Sequence, residues 1–327
     1  MTSFDEVNTA ATTVRAPRKP TSTGRNGDRL FYGASLGSGV FVLVIMAAIA
    51  VFLVWKAIPA LQANEANFLT SEEWDANSIP ARFGILQMAW GTVAASTIAL
   101  LLATPIAIGI ALFTTFYAPK RLADGLGYVI DLLAAVPSIV YGLWGLIFFV
   151  PKMNTFSVWL NAHLGWFPIF GGPEAEVSGR SLFTAGVVLA IMILPIISSI
   201  SREVFQQVPR PNIEAALALG ATRWEMIRMA VLPFGRSGMI SAMMLGLGRA
   251  MGETIAVAMV LASAPGITLH LLKTGGSTFA SNIALKFGEA GDIGRGALIA
   301  SGLVLFFITM IVNMAARAIV ARRKEFV

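Results

Sequence analysis

An all-α, polytopic membrane protein with six transmembrane helices is the fold class this sequence predicts, and three observations predict it. Of 327 residues, 56% are hydrophobic and only 13% are charged, where soluble domains carry about a quarter charged residues. Six segments are apolar for long enough to cross a hydrocarbon core about 30 Å thick as helices. They are roughly Gly33–Trp55, Gly84–Thr114, Leu126–Val150, Leu182–Ile200, Gly238–Ala262 and Ala297–Val320. The basic residues of the connecting segments are unevenly divided: sixteen fall in one alternating set and seven in the other.

The chain opens on residues 1–30, rich in Thr, Ser, Pro, Arg and Gly and without apolar periodicity. This reads as a disordered basic tail held near anionic headgroups. The first transmembrane helix, 31–56, follows as an anchor and not a cleaved signal, because its apolar run is long and no small-residue cleavage site follows closely. The remaining five helices form a core over 84–320. Thr104-Pro105 is expected to kink the second, the threonine or a neighbouring helix satisfying the freed carbonyl. Pro137 and Pro195 are expected to bend the third and fourth. Between those two, Pro151–Gly179 reads as a loop with Trp159, Trp166 and Phe167 at the membrane interface. After the fifth, Ala264–Gly294 contains a half-apolar stretch, Ile283–Phe287, that suits a short helix on or in the membrane. Residues 321–327 form a basic tail.

Orientation follows from the basic residues. The richer set comprises the N-terminal tail, Lys120 and Arg121, the segment 202–237 and the C-terminus. Positive residues stay inside, so both termini and 202–237 are expected in the cytoplasm. Net charge +6 does not then mark a nucleic-acid binder. With no cysteine, disulfides and thiol chemistry are excluded. His163 and His270 each stand alone, and no metal-ligand cluster or Ser/His or paired-carboxylate constellation falls in the spans. No internal repeat of the kind many secondary transporters carry is visible.

The segment 202–237 carries the sharpest local signal. Glu214-Ala215-Ala216 leads to Gly220, with Asn212 as a plausible N-cap and Gly220 at the left-handed position past a helix end. Thr222 and Glu225 have capping-box spacing, so a second helix starts at once. Leu232-Pro233 is expected to end it, since proline lacks the N–H needed to continue. Trp224, Ile227 and Val231 share a face beside Arg223 and Arg228, making an apolar and basic knob that needs a partner. A DNA-binding helix-turn-helix has similar spacing, but membrane spans flank this one.

In the fifth span, Gly246-Leu247-Gly248-Arg249-Ala250-Met251-Gly252-Glu253-Thr254 sets a charge near the bilayer centre, where an arginine costs roughly 2.5–3.5 kcal/mol on insertion scales. Arg249 and Glu253 are four apart and expected on one helical face, and Gly248 and Gly252 leave room for another helix. Two readings stand together. The pair glues helices, or Arg249 meets an anionic substrate on a pathway while Glu253 restrains its guanidinium, with Thr254 beside them. A guanidinium fork suits tetrahedral oxyanions and stays charged.

The segment around Glu214 resembles the cytoplasmic coupling loop of ABC-importer permeases. Their pattern, E-A-A, three residues, Gly, nine residues and I-x-L-P, is matched by Glu214, Ala215, Ala216, Gly220, Leu232 and Pro233. Ala230 stands where the pattern has isoleucine. The string G-L-G-R-A-x-G-E-T in span five resembles the phosphate permease family of these importers. So does Thr278 to Ala290, with Ala284 and Phe287-Gly288-Glu289-Ala290. The likeness runs over about 84–317, is strongest from Pro195 to Ala290, and fails over the first thirty residues. The external loop between spans three and four and the basic cytoplasmic tail point to its PstC branch, although the PstA branch shares a similar signature. A permease for another oxyanion or small solute would keep the coupling loop without needing Arg249.

The resemblance implies a type I ABC importer permease architecture in a bacterial inner membrane. Substrate-pathway residues would be Arg249, Glu253 and Thr254, and ATPase-coupling residues Glu214, Ala215, Ala216, Gly220, Trp224, Leu232 and Pro233. It also implies partners: a PstA-type second permease, a PstB-type ATPase dimer, a PstS-type external phosphate-binding protein, and lipid. ATP and magnesium would sit on the ATPases. This chain has no G-x-x-x-x-G-K-[ST]; Lys273-Thr274-Gly275-Gly276-Ser277-Thr278 has the wrong order. It is expected to be a transport subunit, not an enzyme, with no cofactor of its own.

Overall fold

The structure, a computed structural model, describes residues 25–173, 176–264 and 266–321. Of the tails expected at 1–30 and 321–327, residues 1–24 and 322–327 lie outside the described residues, whereas 25–30 are helical, not disordered. The chain forms two compact units, one ending at Val51 and one beginning at Phe52. The first holds most of α1 (Arg25–Ala63), which starts earlier than expected. Every side chain from Gly27 to Ile49 is exposed, and a helix apolar on all sides requires lipid or another chain around it.

The second unit takes the end of α1 and continues with α2 (Leu86–Leu112), α3 (Lys120–Ala134), α4 (Ser138–Trp144), α5 (Val150–Leu164) and α6 (Leu182–Gln206). Then come α7 (Arg210–Ala218), α8 (Arg223–Met226), α9 (Leu232–Met251), α10 (Ile255–Val260), α11 (Phe279–Lys286) and α12 (Asp292–Ala321). A minimal antiparallel pair, β1 (Trp74–Asp75) with β2 (Arg82–Phe83), sets Trp74 opposite Phe83. Ala76, Ala81 and Phe83 bury themselves there with Ala60 of α1 and Ala297 of α12.

Six helical runs are long and apolar enough to cross a membrane: Gly27–Ala63, Leu86–Tyr117, Ser138–Leu164, Leu182–Gln206, Arg223–Met251 and Asp292–Ala318. The third departs from the expected Leu126–Val150. Pro137 does not bend a span; it caps the start of α4, because its ring bars the preceding residue from helical geometry and separates α3 from α4. Helix α3 is instead amphipathic and pinned to α6. Asp131 accepts from the Ser199 hydroxyl at 2.8 Å and from Arg202 Nη2 at 3.3 Å. The expected loop from Pro151 is correspondingly helical as far as Leu164, and Lys152 lies with its Nζ 3.8 Å from the Phe148 ring centroid. The short helix expected at 283–287 is α11, placed slightly earlier.

Two other prolines are accommodated rather than obeyed. Wide π turns at Gly145–Phe149 and Ile227–Val231 come just before Pro151 and Pro233. Such turns relax the contact between a proline ring and the preceding turn. Pro233 therefore does not end the second helix of the 202–237 segment; the run continues unbroken from Arg223 to Met251. Pro105 lies inside α2, but Thr104 Oγ1 is buried without a hydrogen-bond partner, so the threonine does not serve the freed carbonyl.

The core is built on small residues. Ala95, Ala99, Ala103 and Ala107 recur at i+4 along α2 and are at most 1% exposed. They pack on Ala185, Leu189, Met192, Ile193 and Ile197 of α6, so two helix axes approach closely, as alanine stripes permit. Ala103→Leu is expected to overpack this seam at a cost of about 1–3 kcal/mol, lowering the melting temperature of the purified protein. Leu101→Ala, on the exposed side of the same helix, should leave it nearly unchanged. Equal effects would show that the seam is not tightly packed.

Candidate functional site

The fifth crossing is a discontinuous helix. α9 ends at Met251 with Gly252 (φ −91°, ψ 2°) as its C-cap, and α10 begins at Ile255. The expected span Gly238–Ala262 thus starts earlier and stops sooner. This break overturns the expected Arg249–Glu253 pairing, because i and i+4 share a face only while the helix continues. No ion pair within 4.0 Å joins them among the described residues. Glu253 turns to α10 instead: its Oε1 accepts from the Ala256 backbone N–H at 3.1 Å. It is a side-chain cap with the favourable sign for a helix N-terminus. The Thr254 hydroxyl donates to Gly252 O across the break at 3.2 Å.

α10 is held at its other end as well. Arg180 Nη2 donates to Met259 O and Leu261 O, each at 3.3 Å, satisfying carbonyls that a helix end leaves open. At Gly142 of α4 the α10 backbone comes so near that a Cβ would lie 2.8 Å from Ala256 Cα. A carboxylate, a guanidinium and a glycine contact therefore hold this short helix in place.

Arg249 has none of these attachments. It occupies the last turn of α9, half-buried, and its Nε is buried without a hydrogen-bond partner. It lines a cavity of about 900 Å³ between α6, α9 and α12. Ser241, Met244 and Gly248 of α9 and Asn313 and Arg317 of α12 share that lining. Among the described residues Gly248 has no atom within 4 Å of where a Cβ would stand, so it opens the cavity and receives no helix of this chain. A half-buried guanidinium with donors to spare, facing a mostly apolar cavity, can hold an oxyanion by charge-assisted hydrogen bonds. The sequence reading missed Asn313 and Arg317. Their i, i+4 spacing on an apolar helix is the available signal.

The second cluster lies around Gly220. α7 has no buried residue. Its N-cap is Pro209, not Asn212, which sits within the first turn, since Pro209 and Pro211 favour the start of a helix. Gly220 adopts φ 82°, and its N–H donates to Leu217 O at 3.0 Å. The Thr222–Glu225 capping box is complete. Trp224, Ile227 and Val231 do not form one exposed face: Ile227 and Val231 are fully buried with Phe205, Val208 and Leu112, whereas Trp224 is exposed. Ala216 packs partly against the same cluster, as does Leu232. Glu214, Ala215, Gly220 and Pro233 stay exposed. Leu219 is 90% exposed. The result is a helix–turn–helix seated on a small core shared with the ends of α2 and α6, presenting Leu219 and Trp224 outward.

A polytopic helical chain with a broken helix beside a cavity has the architecture of a membrane permease subunit. The chain belongs to the family of binding-protein-dependent transport system inner membrane components, which matches residues 103–325. It is 49% identical over 298 residues to the phosphate transport system permease protein PstC 2 of Mycobacterium tuberculosis, covering 90% of this chain and 92% of that one. To the PstC protein of Xylella fastidiosa it is 44% identical, covering 87% and 88%. Solved structures share the fold at low identity. A chain of a bacterial ABC transporter involved in the import of the acidic polysaccharide alginate superposes with a TM-score of 0.56 at 15% identity, over 90% of this chain and 97% of that one. A chain of the inward-facing MetNI methionine ABC transporter gives 0.54 at 17%, over 73% and 95%. The fold is that of an ABC-importer permease, a multi-pass membrane component that works with ATPase and permease partners.

Proposed function

We propose that this chain is the permease subunit of an ATP-driven importer of inorganic phosphate in a bacterial inner membrane. It contributes half of the translocation pathway and couples it to an ATPase. The observation that carries this reading is the likeness to PstC proteins over about nine-tenths of the chain, supported by the unpartnered Arg249 in its cavity. Arg249 acts on the anion directly. Glu253 acts by fixing α10 across the break, and Thr254 lies at the break itself. The Glu214–Ala216 helix, Gly220 and Trp224 form the surface against which a PstB-type ATPase dimer, carrying ATP and magnesium, presses. Leu232 and Pro233 join that surface to α9, so movement at the turn reaches Arg249 along one continuous helical run. A PstA-type permease and a PstS-type external binding protein complete the assembly; this chain holds no cofactor and no nucleic acid.

Both termini and the 202–237 segment face the cytoplasm in this reading. The test is co-expression with such partners, co-purification and radiolabelled uptake in cells. Phosphate uptake that ATP depletion stops, and that excess sulfate does not compete away, is expected. Equal competition by sulfate would favour a permease for another oxyanion. A cysteine at Thr222, in a chain that has none of its own, should resist an impermeant thiol reagent in intact cells and react after permeabilisation. Labelling in intact cells would reverse the orientation.

A further inference from the structure

We propose that Arg317 of α12 is a second anion-binding residue of the same pathway, a relay for a tetrahedral oxyanion released from Arg249. The inference rests on the phosphate-permease reading. Both arginines line one cavity. On the α9 wall, Ser241 and Arg249 are separated by about 12 Å of helical rise, so the cavity extends from the break towards the end of α9 that bears the Gly220 turn. On the α12 wall, Asn313 and Arg317 lie on one helical face, close to the end of that helix.

No aspartate or glutamate lines the cavity, and neither arginine forms an ion pair among the described residues. Two cations with no carboxylate partner among the described residues, lining one mostly apolar recess, focus potential and raise the local concentration of anions. An arginine near a membrane-helix end is ordinarily an interfacial anchor reaching for headgroups. Arg317 instead shares the lining of the cavity that holds Arg249. The volume, about 900 Å³, is that of a vestibule and not a close-fitting pocket. Conduction needs sites that bind enough to admit and weakly enough to release. Two shared, loosely fitted arginines meet that need better than one strong trap.

The experiment uses Asn313→Cys in the detergent-solubilised transporter. Labelling rates are compared for anionic and cationic methanethiosulfonate reagents of similar size. The anionic reagent is expected to be faster by roughly tenfold. Arg317→Gln should remove most of that preference and Arg317→Lys should keep it; an unchanged preference in Arg317→Gln overturns the proposal. Phosphate and sulfate are also added to the chain that keeps Arg317, a readout that does not depend on the substitution assembling. Slowing of the anionic reagent by either is expected, and slowing by neither overturns the proposal. Slowing by sulfate without slowing by phosphate would leave the relay standing while the phosphate reading falls.

Discussion

Arg249→Ala is expected to abolish phosphate uptake, by about a hundredfold or more, while the assembly with its ATPase still purifies. Charge-assisted hydrogen bonds contribute roughly 1.5–3 kcal/mol each, and a guanidinium fork can make two to one oxyanion. The arginine makes no hydrogen bond or ion pair within the described chain, so its removal leaves no protein group stranded and assembly should survive. Arg249→Lys should recover little, because a compact, strongly hydrated ammonium does not reproduce the fork. Glu253 provides the contrast. The amide of Glu253→Gln can still accept from the Ala256 N–H, so most uptake should remain. Glu253→Ala leaves that buried donor unsatisfied at about 1–3 kcal/mol, and should lower both thermal stability and uptake. Had the two residues formed an ion pair, Gln would damage transport nearly as much as Ala. Uptake by Arg249→Ala at a rate near wild type would remove this residue from the pathway.

Gly220→Val should uncouple the permease from its ATPase. At φ 82° a β-branched residue is strained by about 1–3 kcal/mol. No atom lies within 4 Å of the position a Cβ would take, so the strain is purely backbone and no collision is added. The turn is expected to relieve it by rotating α7 against α8, displacing Leu219 and Trp224, the proposed docking residues. Uptake is expected to fall roughly tenfold with membrane insertion unchanged, and less ATPase should co-purify. Gly220→Asn, which tolerates the left-handed region, should retain most function. If Val and Asn behave alike, or if Val transports normally, the turn geometry is not what couples the subunits.

Much of this protein is written locally in its chain. The number of crossings, the apolar character of each, the capping box at Thr222 and the left-handed Gly220 all depend on neighbours within a turn or two. So does the distinctive sequence around Glu214 and Arg249, by which the family can be recognised. What depended on three-dimensional packing was not legible. Pro137 separates two helices while Pro151 and Pro233 are carried through helical runs, and the difference lies in π turns that no residue pattern announces. The third crossing moved because Asp131 found Ser199 and Arg202 on α6, a partnership of residues 68 and 71 positions apart. Arg249 and Glu253 have the spacing of a pair, yet the helix breaks between them, and Glu253 caps α10 while Arg249 is left to the cavity. Arg317 reaches that cavity only because α12 packs beside α9. Sequence alone determined how many apolar runs are long enough to cross a membrane and how the turn at Gly220 is built, because apolar run length and helix capping are local, additive preferences. Only the tertiary structure decided which charged groups are satisfied and which remain available to a ligand, because that depends on which distant backbone and side-chain groups the fold brings within hydrogen-bonding distance.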